Sequence, residues 1–255
     1  MSPVRAIRRT FRRLRDRLSL YHLSGIYNPF FDLFTGGRRR PVFFDIDATF
    51  PALRRIDAAY PDIRAELESL LPQRAQMPRY HEIDTDLVLA SGRYHRDKSW
   101  NVFMLYSYGA RPLHNRARCP RTSAILDTIP DLSQAFFSIL EGGKSIPAHS
   151  GPTRSYLRYH LGLKVPAVDP PTIRVRDQHY TWKEGESILF DDSWEHEITN
   201  CATEPRAVLI IDVLRPMSWF PSLLNRFLRN TLGRWFYGRR ILKTTNAHVL
   251  PSPPP

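Results

Sequence analysis

Residues 186–214 read as three short strands broken by two turns: Glu186-Ser-Ile-Leu-Phe190, Asp191-Asp192-Ser193-Trp194, Glu195-His196-Glu197-Ile198-Thr199, Glu204-Pro205, then Arg206-Ala-Val-Leu-Ile-Ile-Asp-Val-Leu214. Short runs rich in Ile, Val and Leu, punctuated by Asp, Ser and Pro, have strand period rather than helix period. Upstream, further strand candidates lie at 100–108, 134–140, 154–164 and 172–181. Gly142-Gly143, Pro166, Pro170-Pro171 and Glu184-Gly185 break them. From 134 onward, many short strands at close intervals, with no helix between them, predict a double-sheet jelly roll rather than a parallel α/β fold.

The flanks read differently. Val4, Ile7, Phe11, Leu14 and Leu18 recur three or four residues apart, which predicts an amphipathic helix whose other face is crowded with arginine. Such a helix lies on an anionic membrane surface, docks on the protein's own core, or serves as an Arg-rich targeting peptide. Asn28-Pro29, Gly36-Gly37 and Arg38–Pro41 read as loop, and Val42–Phe44 as a short strand. Residues 50–71 keep helical spacing, with Pro61 set to kink or split the helix. A short helix is expected at 122–129. After Pro216 a second basic, aromatic amphipathic segment begins, suited equally to a membrane interface or to packing on the barrel. The expected organisation is a basic helix at 1–27, a helical support region at 28–99, the jelly roll at 100–217, and a C-terminal helix with a Pro-rich tail at 218–255.

Composition bounds the function classes. At 255 residues, 42% hydrophobic and 24% charged, the chain can bury a sizeable core. Its net charge of +12 attracts anionic partners. No nucleic-acid motif accompanies that charge, and the basic residues gather in the amphipathic ends, so a membrane is the expected partner and nucleic acid is not. Two cysteines are too few for a disulfide framework and point to a reducing compartment. With no secretory signal and no apolar run of spanning length, the expected location is the cytoplasm, or the inner face of the membrane as a peripheral protein.

Three residues stand out for chemistry. His149 and His196 each sit in a turn at a strand end, and Arg206 opens an otherwise apolar strand. Imidazoles beside open positions bind iron, and a guanidinium grips a carboxylate with two hydrogen bonds. The bland alternative is two structural histidines and an arginine paired with an internal Asp or Glu. In strand 154–164, Leu157, Tyr159, Leu161 and Leu163 share one face, while Tyr156, Arg158, His160 and Lys164 share the other, which would line the barrel mouth.

From about Trp100 to Pro216 the chain resembles the aspartyl/asparaginyl β-hydroxylase family, which includes lipid A and ornithine-lipid 2-hydroxylases. The motifs are Cys119-Pro-Arg-Thr122, His149-Ser-Gly-Pro-Thr153, Leu157-Arg-Tyr-His-Leu-Gly-Leu163, Trp182-Lys-Glu-Gly185, Phe190-Asp-Asp-Ser193, Glu195-His-Glu197, Pro205-Arg206 and Asp212-Val-Leu-Arg-Pro216. The resemblance implies a double-stranded β-helix of cupin-like form. It implies iron(II) and 2-oxoglutarate as cofactors, with ascorbate as reductant. It implies His149 and His196 as metal ligands, Arg206 and Ser138 at the distal carboxylate of 2-oxoglutarate, and His160 with Arg158 at its other end or at the substrate.

Where most such enzymes carry an acid two residues after the first histidine, this chain has Gly151, as the aspartyl branch does. Asp192, four residues before His196, is the candidate either to hold a metal-bound water or to bind the metal. Where the aspartyl branch has a substrate-gripping arginine, this chain has Tyr156. The expected reaction is hydroxylation of a C–H bond, at the β-carbon of an Asp/Asn-type residue or at the 2-position of a lipid acyl chain. The expected partner is accordingly a small-molecule, peptide or lipid substrate. A non-catalytic jelly-roll binding module is the competing class.

Overall fold

A computed structural model describes residues 20–83 and 98–251. The helix expected at 4–18 and the Pro-rich tail from 252 onward lie outside the described residues.

The described residues open with α1 (Leu20–Thr35), β1 (Phe43–Phe44), α2 (Ile46–Thr49), α3 (Arg54–Ala58), α4 (Tyr60–Leu70) and α5 (Tyr80–Ile83). After these come β2 (Trp100–Ser107), α6 (Leu113–Arg118) and α7 (Pro120–Leu126). The strands continue as β3 (Leu132–Leu140), β4 (Ile146–His149), β5 (Tyr156–Lys164), β6 (Thr172–Val175), β7 (Gln178–Thr181), β8 (Ser187–Phe190), β9 (His196–Thr199) and β10 (Arg206–Leu214). A nearly continuous C-terminal helix closes the chain: α8 (Trp219–Leu228), a π-helical stretch (Arg229–Gly238) and α9 (Arg239–Ala247).

Among the described residues, ten strands form two antiparallel sheets, one in the order β1-β8-β5-β10-β3-β2 and the other β4-β9-β6-β7. Their inner faces meet in the expected jelly roll. Val102, Met104, Phe136, Val208 and Ile210 of the large sheet pack against Ile173, Val175 and Ile198 of the small one. The outer face of the large sheet has a second core. Leu157, Tyr159, Leu161, Leu209, Ile211 and Val213 bury Ile63, Leu67 and Leu70 of α4. Because β3 and β10 are covered on both sides, all their residues are buried, which explains the apolar stretches 135–137 and 207–211 within them. Polar residues on their inner faces therefore stand in a dry interior, where each needs a partner.

Three local readings change. Asn28-Pro29 is not loop: α1 runs through Pro29 to Thr35, crossing the boundary expected at 27/28. Proline costs an interior helix bond, and tertiary contacts hold the helix here, with Phe31 fully buried and Asn28 bonded at both ends of its amide. Strand 172–181 is two strands, β6 and β7, joined at Arg176 in a left-handed conformation, φ 56°. Finally, β4, a strand not foreseen, carries His149. Its Pro147 is tolerated because β4 is an edge strand. Pro61 does split the 50–71 segment, sitting in the first turn of α4.

Candidate active site

The two histidines come from neighbouring strands of the small sheet. β4 pairs with β9 so that His149 stands opposite His196, with ring centroids 4.2 Å apart. Each Nδ1 faces a backbone carbonyl two residues upstream: Pro147 at 2.8 Å for His149 and Trp194 at 2.9 Å for His196. A carbonyl only accepts, so each Nδ1 carries the proton and each Nε2 keeps its lone pair. Burial pushes both imidazoles below their ordinary pKa, and so favours the neutral form that can bind a metal. A carbonyl that fixes the far ring nitrogen, and so aims the near one, is what a metal-binding histidine pair needs.

No third His, Cys, Asp or Glu joins them as a metal-binding group among the described residues. Gly151 shows why. A Cβ at that position would come within 2.5 Å of Asp192 Oδ1, and the Gly151 amide donates to the Asp192 carbonyl at 2.7 Å. The carboxylate of Asp192 fills the space that a side chain at 151 would enter. It accepts from the Tyr156 hydroxyl at 2.8 Å and lies 3.2 Å from Arg158 Nη1. Burial, partly offset by Arg158, pushes its pKa up to about 7.

The inner face of β5 sorts as the sequence indicated, with Tyr156, Arg158 and His160 turned inward. Arg158 is fully engaged: Nε and Nη2 donate to Asp212 at 2.7 and 2.8 Å, in addition to Asp192. Arg206 is the opposite case. It is 1% exposed and packs its guanidinium 4.4 Å above the Trp182 ring. Its Nε and Nη1 have no hydrogen-bond partner. The internal Asp or Glu that would make it structural is absent among the described residues, and burial alone pushes its pKa down to about 9.

Around Arg206 lie groups with spare hydrogen-bonding capacity. Trp100 Nε1 donates to Ser138 Oγ at 2.9 Å, which leaves the Ser138 hydroxyl proton free to donate elsewhere. Both ring nitrogens of His160 are buried without partners, the ring lying 5.8 Å from Trp182 and 5.0 Å from Phe190. Burial, with the charge of Arg206, holds His160 well below the usual pKa, and so neutral. A buried cation, a hydroxyl and an unpartnered imidazole on the adjoining strands β10, β3 and β5 together make a cradle for an anion.

The segment before β2 braces both histidine turns. Asn28 of α1 donates to Pro152 O and accepts from the Arg154 amide, both at 3.0 Å. Arg40 donates to Asp191 at 2.7 Å and to Ser193 at 3.1 Å, with its guanidinium 3.6 Å from the Trp194 ring centre. Arg215 pairs with the same Asp191 at 2.5 Å. These supports had no local sequence signal, because Asn28 and Arg40 lie far along the chain from what they hold. Asp212 did have one: it is the lone acid in an apolar strand.

Residues 57–216 match the family model for aspartyl/asparaginyl beta-hydroxylase. The ornithine lipid ester-linked acyl 2-hydroxylase of Rhizobium tropici is 41% identical over 191 residues, covering 74% of this chain and 66% of that protein. Human aspartyl/asparaginyl beta-hydroxylase is 35% identical over 129 residues, which is 49% of this chain but 16% of the human protein. Human aspartate beta-hydroxylase domain-containing protein 2 is 32% identical over 126 residues, 46% of this chain and 34% of that one. The chain thus spans two thirds or less of each of these relatives. The fold, the paired imidazoles and the family match agree: the chain belongs to the aspartyl/asparaginyl β-hydroxylase family.

Proposed function

We propose that the chain is an iron(II)- and 2-oxoglutarate-dependent dioxygenase that hydroxylates a C–H bond of a membrane-lipid acyl chain. The observation that carries the reading is the pairing of two oriented imidazoles with a buried, unpartnered Arg206 inside one barrel. His149 and His196 would hold iron(II) through Nε2. Asp192 would hold a metal-bound water on the side where Gly151 offers no carboxylate. Arg206 and Ser138 would bind the distal carboxylate of 2-oxoglutarate, with His160 bordering the same space. Bound there, the cofactors supply oxidising power: 2-oxoglutarate, O₂ and the C–H group become succinate, CO₂ and an alcohol, with ascorbate keeping the iron reduced.

The protein's own work is placement and exclusion of water. Trp182, Trp100 and Phe190 are buried and wall the anion cradle. Neutral His160 adds no second positive charge beside Arg206. Tyr156 and Arg158 bear on the substrate. Arg158 is already neutralised by Asp212 and Asp192, and Tyr156 is bonded to Asp192, so neither offers a free cation to a substrate acid. That suits an uncharged target carbon, in keeping with the 41% identity to an acyl hydroxylase. The β-carbon of an Asp/Asn-type residue is the second reading, favoured by Gly151, which the aspartyl branch shares.

The test is succinate release by iron-loaded protein, alone, with lipid extract and with Asp/Asn peptides. Lipid stimulation with a gain of one oxygen in the acyl chain is the expected result. Peptide stimulation would move the assignment to the second reading. His149→Ala should abolish both iron retention and turnover, and if it does neither, the metal assignment falls.

A further inference from the structure

Among the described residues, the C-terminal helix and α1 leave a broad apolar face uncovered. Trp219, Leu223 and Phe227 follow one another at one-turn spacing on α8, and Trp235 extends the line along the π-helical stretch. All four are more than half exposed, Trp219 at 78%. Ile26 and Leu33 of α1 are 79% and 78% exposed. Phe30 of α1 meets Phe220 of α8 at 6.2 Å between ring centroids, which joins the two stripes into one surface. Contiguous exposed aromatics of this kind mark an interaction site rather than the scattered apolar residues of an ordinary surface.

The charge around the face narrows the partner. Residues 216–255 contain Arg226, Arg229, Arg234, Arg239, Arg240 and Lys243 and no Asp or Glu. Arg239 lies 4.4 Å from the Trp235 ring centre, and Arg38 and Arg39 are exposed just beyond α1. Arg226 is paired with Asp131, and Asp32 of α1 with Arg154, so the remaining arginines leave the face with net positive charge. Tryptophan and phenylalanine on one face with those arginines beside them suit the boundary between acyl chains and anionic headgroups.

Behind this face a crevice runs between α1 and the C-terminal helix, lined by Tyr27, Phe31, Leu228, Leu232, Phe236 and Tyr237. Its floor is Tyr108, whose phenol lies within electrostatic reach of Asp212, Arg158 and Asp192. At its other margin, Asn225 donates to Ser155 O at 2.6 Å, just past the loop that follows His149. The crevice therefore ends at Tyr108, a residue within electrostatic reach of the Arg158, Asp192 and Asp212 cluster beside the candidate metal site. It is tight, with about 40 Å³ of free space. Gly233 closes it down: a Cβ there would come within 2.5 Å of the Tyr108 ring. A guest must part the helix from α1 at the π-helical stretch, a backbone form often found at functional sites.

We propose that this face docks on an anionic bilayer and that the crevice admits one acyl chain of a membrane lipid to the site. The second half rests on the acyl-hydroxylase reading above. The first half does not.

The test uses the full chain without metal, floated with vesicles of phosphatidylcholine alone or mixed with phosphatidylglycerol. Preferential, salt-sensitive flotation with the anionic vesicles is expected. Trp219→Ser/Phe227→Ser/Trp235→Ser should lower partitioning at least about tenfold with an unchanged circular dichroism spectrum. In vesicles with brominated acyl chains, tryptophan fluorescence should be quenched, and Trp219→Phe/Trp235→Phe should remove that quenching without weakening binding. Flotation indifferent to the triple variant would overturn the docking face. So would a dimer that the triple variant dissolves, in a protein that binds no vesicle. For the crevice, iron-loaded Leu228→Trp should keep vesicle binding and lipid-independent succinate release while losing about tenfold of acyl hydroxylation; undiminished hydroxylation would overturn the path. A protein that docks but releases no succinate would instead sink the dioxygenase reading.

Discussion

Arg158 and Arg206 stand on the inner faces of neighbouring strands, β5 and β10, in the same barrel, yet they solve burial in opposite ways. Arg158 meets two carboxylates, one of them through a two-pronged bond, and its pKa is raised well above the usual value despite the burial that works against it. Arg206 meets an indole face and no acid, and burial alone lowers its pKa. An isolated buried cation is costly to keep. Two acids neutralise one arginine and none meets the other, so a paired cation and an unpaired one stand side by side.

The comparison breaks most sharply in catalysis. Arg206→Met should cut kcat/KM for 2-oxoglutarate by about a hundredfold or more, since a buried charge-assisted pair is lost. The same variant should leave the melting temperature of the ligand-free protein unchanged or raised, because it removes an unpaired charge. A fall in both would mean that Arg206 has an internal partner after all. Arg158→Met should do the reverse in stability. It leaves Asp212 and Asp192 uncompensated, at a cost of about 3–5 kcal/mol in urea unfolding. Arg158→Met with Asp212→Leu should recover most of that loss, and if it does not, the pair is not what holds β5 to β10 there.

The smallest effect concerns His160, held neutral by burial beside Arg206. Its folded pKa is depressed below the unfolded value of about 6.5, so the unfolded chain takes up the proton that the folded one refuses. Its contribution to stability is present above pH about 6.5 and is lost as the pH falls below it, by up to about 1.4 kcal/mol per pH unit. Metal-free His160→Gln should therefore show a shallower loss of urea midpoint between neutral and mildly acid pH than the parent. Parallel curves would show that His160 is not the titrating group.

Much of this was legible in the chain. Strand period and turn residues indicated the two-sheet barrel, and alternation in 154–164 separated the inward polar side chains from the outward leucines, as found in the two cores. What stayed hidden depends on contacts between distant segments. Pro29 reads as a helix breaker until Asn28 and Phe31 are seen anchored against the rest of the molecule. Pro147 hides β4, because proline fits only on an edge and edge status belongs to the sheet. Whether an inward arginine is free or neutralised also lies beyond local pattern. Arg158 finds Asp212 directly across the β5–β10 ladder, whereas Arg206 finds Leu140 on β3.

The braces on the two histidine turns bear on where the working unit begins. Asn28 and Arg40 both precede residue 57, where the match to the family model starts, yet one steadies the turn after His149 and the other the turn before His196. A polypeptide trimmed to the shared segment would retain all but the first strand, and with it a recognisable barrel. Its imidazoles would nonetheless ride on turns that had lost Asn28 and Arg40, with Arg215 left to hold Asp191 without Arg40. Ancestry and competence are thus drawn on different maps of this molecule, and the shorter map leaves out the fastenings.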